Sequence, residues 1–148
     1  MLASLAEILA EGEPSPGAVG AFTCYDLETA SAVLRVAEDL STPVILLIAD
    51  KAFRAESGDG LALALRALAE HAGVPVCLQL DHATDIEVIA HAFELGVTAV
   101  LADGSKLPYD GNLEFVQAVV ELARSTGADV EAELGRIEGD EDLTRAID

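Results

Sequence analysis

Asp81 and His82 stand side by side at the end of an apolar run, Val74-Pro75-Val76-Cys77-Leu78-Gln79-Leu80. A second run, Asp129-Val130-Glu131-Ala132-Glu133-Leu134-Gly135, carries acids at alternate positions. A third, from Val97 to Ala102, leads straight into Asp103-Gly104. Alternate residues of a strand share a face, so Glu131 and Glu133 point the same way. An imidazole among carboxylates is a donor set for a divalent cation, and a carboxylate left over can exchange protons as a general acid or base. In parallel α/β proteins ligands bind at the carboxyl ends of the strands, where these residues fall. Each also has a plainer reading. Asp81-His82 can be a hydrogen-bonded strand-end pair, Glu131 and Glu133 solvated acids, and Asp103 before Gly104 a turn residue.

The elements that must position these residues alternate along the chain. Residues 2–11 read as a leading helix, broken by Gly12, Pro14, Pro16 and Gly17. Residues 18–24 form a first strand. Asp26 caps a helix over 27–40, in which Ala30, Val33, Leu34 and Ala37 make one apolar stripe. Residues 43–48 form a second strand of the fully buried kind. A loop over 49–58 leads to a helix over 60–72, which Gly73 stops. A strand over 74–80, a helix over 84–95 and a strand over 97–102 follow. The loop 103–111, a helix over 112–126 and a strand over 129–133 complete the alternation, and a mostly charged tail occupies 136–148.

Strict alternation of strand and helix with short connections predicts a parallel sheet with right-handed crossovers. Two α/β architectures share that pattern: an open doubly wound sheet, and the first five βα units of a (β/α)8 TIM barrel. No Gly-x-Gly-x-x-Gly follows the first strand, so a dinucleotide-binding fold loses its main support. A whole barrel takes about 250 residues. At 148 residues, the chain is expected to be one truncated unit, with 1–148 the amino-terminal part of a barrel.

Apolar residues make up 51% of the sequence and aromatics only 4%, which suits Ala-, Leu- and Val-rich helices packed on parallel strands. The net charge of −19 argues against nucleic acid, whose phosphates would be repelled. A phosphorylated substrate would need local basic groups or backbone amides to offset that field. Cys24 and Cys77 lie in apolar strand-like runs, so buried, reduced thiols and a cytosolic compartment are expected. No basic stretch followed by an apolar one opens the chain, and no apolar run approaches the ~20 residues that span a membrane.

Three segments, in order, resemble the class II, zinc-dependent fructose-bisphosphate and tagatose-bisphosphate aldolases. They are Pro75 to His82, Leu101-Ala102-Asp103-Gly104-Ser105-Lys106-Leu107-Pro108-Tyr109, and Val130 to Arg136 with Gly139-Asp140-Glu141-Asp142 behind it. The resemblance implies that Asp81 is the acid/base group and His82 a zinc ligand. Asp103 and Glu133 match acids that hold the metal in an alternative, buried position. Glu141 matches a mobile-loop acid that moves the proton alpha to the ketone, and Asp26 stands at a substrate-binding position where Asn is common. The implied cofactor is Zn2+. The implied reaction is reversible condensation of dihydroxyacetone phosphate with an aldehyde, zinc drawing charge from the ketone oxygen.

Some positions depart from that pattern. Gln79 and Lys106 stand where the family often has His, and Ala49 where a phosphate-binding Ser is common. The family takes two further zinc histidines from strands later than residue 148, and His71 and His91 fall in predicted helices. The metal site is therefore expected to be incomplete in this chain, and the chain inactive alone. A half-barrel has two open sheet edges, which invite pairing. That leaves a homo-oligomer, or a non-catalytic partner subunit completing a barrel by association, beside the catalytic reading. A remnant of an interrupted gene is a third.

Overall fold

The computed structural model describes residues 1–11 and 18–135, so the tail with Glu141 lies outside the described residues. In chain order the elements are α1 (Leu5–Glu11), β1 (Gly20–Thr23), α2 (Leu27–Leu40), β2 (Val44–Ala49), α3 (Asp50–Phe53) and α4 (Gly58–His71). Then come β3 (Val76–Ala83), α5 (Ile86–Glu94), β4 (Ala99–Ala102), α6 (Tyr109–Arg124) and β5 (Asp129–Ala132).

All five strands pair in parallel, in the order β1-β2-β3-β4-β5. Every new strand is added on the same side of the last. A doubly wound sheet requires a reversal of that direction at its switch point, and the described strands contain none. The sheet is thus a partial TIM-barrel wall. Right-handed crossovers that all advance one way put α2, α4, α5 and α6 on a single face. There Leu46, Ile48, Leu78, Leu80 and Val100, all fully buried, meet Leu34, Leu65, Ile89 and Val119 from the helices. Each such side chain contributes about 1.5–3 kcal/mol on burial. The opposite, inner face carries a smaller cluster of Ile45, Cys77 and Ala99, closed by Ile8 of α1.

Local sequence explains where three of the six described helices start. Asp26 accepts a hydrogen bond from the Thr29 amide at 2.7 Å and caps α2. Asp85 does the same for α5 through the Glu87 amide at 2.9 Å. Ser4 and Glu7 form a reciprocal capping box on α1. The Asp129 carboxylate also accepts from the Ala6 amide at 2.7 Å, fastening α1 to β5.

Several boundaries differ from the sequence reading. The predicted loop 49–58 contains α3, whose Phe53 is buried. Helix α4 starts at Gly58, which packs so closely on the Phe53 carbonyl that a β-carbon there would sit 1.8 Å from the oxygen. It ends on Ala72 in extended conformation rather than on a left-handed glycine, and the Gly73 amide donates to Glu38 at 2.7 Å instead. Strand β3 runs on to Ala83, which pairs with Ala102, and α6 begins directly after Pro108. Among the described residues no helix is long and apolar enough to cross a membrane.

Candidate metal centre

The end of β3 is irregular. Leu80 pairs with Val100 and Ala83 with Ala102, so β3 spends one residue more than β4 over the same stretch. This is a β-bulge. His82 lies inside it with φ of +53°, in the left-handed region, a conformation that costs a side-chain-bearing residue about 1–2 kcal/mol. Pairing on both sides of the bulge holds it there. The result is a re-aimed imidazole: Nδ1 lies 3.2 Å from Asp103 Oδ2 and 3.4 Å from Glu133 Oε2.

Asp103 leaves β4 with its amide bonded to the Ala83 carbonyl at 2.9 Å. Its Oδ1 accepts from the Ser105 amide at 3.0 Å, which leaves Oδ2 facing the imidazole. Glu133 follows the last β4–β5 pair, Ala102 with Ala132. Its backbone carbonyl accepts from Asn112 Nδ2 at 2.8 Å. His82, Asp103 and Glu133 each offer one ligand atom, and the three atoms lie within 4.8 Å of one another.

Charge is focused on this point. Burial alone would lower the His82 pKa, but the Asp103 hydrogen bond and the negative charges of Asp81, Asp103 and Glu133 outweigh it, so the imidazole is held above its usual 6.5. Burial would raise the Asp103 pKa, yet the Ser105 hydrogen bonds and His82 keep it below the ordinary aspartate value. An ionised carboxylate and an imidazole that readily takes positive charge are what a cation would find here. One imidazole nitrogen and two carboxylate oxygens are atom types that bind zinc, so the three residues can form part of such a site. The donor set fits zinc.

The other residues singled out from the sequence are placed differently. Asp81 sits at the β3 end in register with Ala49, and its charge acts on His82. Asp26 caps α2, where the Thr29 hydrogen bonds hold its pKa down, and it does not belong to the three-residue cluster. Glu141 lies outside the described residues. His71 and His91 are on α4 and α5, and His91 pairs with Asp59 at 2.9 Å. Lys106 is exposed in its loop. Of Glu131 in β5 and Glu133 just past it, only Glu133 reaches His82. Glu131 instead accepts from Gln79 Nε2 at 2.8 Å, a link from a buried amide to an exposed carboxylate, at the position where the resemblance would put a histidine.

Sequence reasoning passed over Ser105, Asn112 and the bulge. Asn112 had a signal: with Phe115, Val116 and Val119 it falls at the i, i+3, i+4, i+7 spacing of an apolar stripe, so a polar residue stands at a buried position. The left-handed turn at His82 had none.

The family model for Fructose-bisphosphate aldolase class-II matches residues 3–147. A fructose-bisphosphate aldolase from Thermus caldophilus is 37% identical over 142 residues, covering 96% of this chain and 46% of that protein. The D-tagatose-1,6-bisphosphate aldolase subunit GatY of Klebsiella oxytoca is 39% identical over 126 residues, covering 84% of this chain and 44% of its own length. Among solved structures, the YdjI aldolase from Escherichia coli K12 superposes with a TM-score of 0.85 at 26% identity, over 91% of this chain and 51% of that one. The chain thus spans about half the length of the relatives it matches.

Proposed function

Because the chain belongs to the class II fructose-bisphosphate aldolase family, we propose that it supplies part of a zinc-assisted aldol site. The reaction is reversible cleavage of a ketose bisphosphate to dihydroxyacetone phosphate and an aldehyde. The observation that carries this reading is the convergence of His82, Asp103 and Glu133 at the ends of three successive strands.

In this reading His82 gives an imidazole nitrogen to the cation, and Asp103 and Glu133 offer carboxylate oxygens. When bound, zinc supplies Lewis-acid polarisation of the substrate ketone. Asp81 takes the proton from the hydroxyl at the carbon–carbon bond that breaks, and returns it in condensation. Glu141 moves the proton on the carbon alpha to the ketone, and Asp26 contacts the substrate. Two buried, unpaired cysteines, Cys24 and Cys77, suit a reducing, cytosolic setting.

The first test is a calorimetric Zn2+ titration of the purified chain against His82→Ala, followed by an aldol cleavage assay on both. Binding at about micromolar or better, lost in His82→Ala, supports the reading. Binding that ignores the substitution removes it. A second reading rests on the sheet edges β1 and β5, which have no strand beyond them among the described residues. In it the chain completes a barrel by association, with a second copy or a companion subunit. Light scattering of the purified chain decides this: a monomer at all concentrations rules out self-association.

A further inference from the structure

Glu133 stands one residue past the β4–β5 ladder, which ends at Ala102 and Ala132. Its carbonyl is held by Asn112, whose Nδ2 donates to it at 2.8 Å. Asn112 is 7% exposed, a buried amide in the first turn of α6. The other end of that amide faces the loop after β4. A β-carbon on Gly104 would lie 2.1 Å from Asn112 Oδ1 and 3.1 Å from its Cα, so the amide is wedged against the residue that follows Asp103. Oδ1 has no hydrogen-bond partner among the described residues. A buried polar atom left so is kept at a cost, and a leucine of similar shape would avoid it. One side chain therefore meets the Glu133 carbonyl and the residue that follows Asp103, and glycine at 104 is what gives it room.

We propose that Asn112 is a positioning residue that sets the spacing between Asp103 and Glu133 for the cation. This rests on the metal-site reading above. Outer contacts of this kind orient ligands without touching the metal, and their removal typically costs 10- to 100-fold in metal affinity. The wedge against Gly104 fixes one carboxylate-bearing loop, and the amide hydrogen bond fixes the other.

The test is titration of wild type, His82→Ala, Asn112→Leu and Asn112→Ala with Zn2+ by calorimetry and with Co2+ by visible absorption. Circular dichroism and urea unfolding without metal report whether each variant is folded. The expected result is His82-dependent binding in the wild type, weakened about 10- to 100-fold in folded Asn112 variants, with an altered Co2+ spectrum. Where Asn112→Leu does not fold, Asn112→Ala, which only removes atoms, decides on the same readouts. A folded Asn112 variant with wild-type Zn2+ affinity and wild-type Co2+ absorption overturns the proposal while leaving the metal site standing. A wild type without His82-dependent binding overturns the metal-site reading and this inference with it.

Discussion

Replacing His82 by glycine should leave a more stable protein than replacing it by alanine, the reverse of the usual order. Residue 82 holds φ at +53° inside the β3 bulge. Any β-carbon there costs about 1–2 kcal/mol, which glycine does not incur. Against this, glycine in a strand is ordinarily the poorer residue by about 0.5–1 kcal/mol, because its unfolded chain has more freedom to lose. Both variants lose the same ring and its contacts with Asp103 and Glu133, so that loss cancels between them. At the middle of both ranges the difference leaves His82→Gly ahead by about 0.75 kcal/mol. Urea unfolding in the presence of a chelator measures it. With a slope of about 2 kcal/mol per molar, the His82→Gly midpoint lies about 0.3–0.5 M above that of His82→Ala. If His82→Ala is as stable or more stable, the bulge does not hold residue 82 in the left-handed region. The account of how the imidazole reaches Asp103 and Glu133 then fails.

Acidic partners hold the His82 pKa up against burial, so the stabilisation from its charged form is present in full below the unfolded value of about 6.5 and is lost as pH rises through the folded one. The urea midpoint advantage of the metal-free protein over His82→Ala should therefore shrink as pH rises above about 6.5; an advantage that grows with pH contradicts the geometry. Leu80→Ala, at a fully buried core position, should lower unfolding free energy by about 2–5 kcal/mol. Leu40→Ala, at a residue 69% exposed, should change it by no more than about 0.5 kcal/mol, and equal effects in the two would contradict the assignment of the core. Burial pushes the thiols of Cys24 and Cys77 up to about 11. Both should stay silent to a thiol-specific chromogenic disulfide near neutral pH and react together on unfolding, whereas prompt reaction of the native protein would place a thiol at the surface.

Much of this fold is legible along the chain because its cues are local. The apolar stripe of α2 and its Asp26 cap involve residues within one or two turns, and they appear where the spacing puts them. The continuous apolar run of β2 marks a strand covered on both faces, and it is. Boundaries slipped where residues outside the element intervened. Gly58, the first residue of α4, packs on the Phe53 carbonyl, and β3 continues to Ala83 because β4 is there to pair with it.

By itself the sequence determined the alternation of strands and helices, the strand ends that carry Asp81, His82, Asp103 and Glu133, and the family. Each of these is written in neighbouring residues or in motifs of a few positions. Tertiary structure alone decided the sheet order, which separates a barrel wall from a doubly wound sheet sharing the same alternation. It also decided that Glu133 goes to His82 while Glu131 goes to Gln79, 52 residues away, and that a buried Asn112 joins two loops. Those choices depend on how adjacent strands register and where a bulge turns one side chain. Residues far apart in sequence settle such matters only once packing has brought them together.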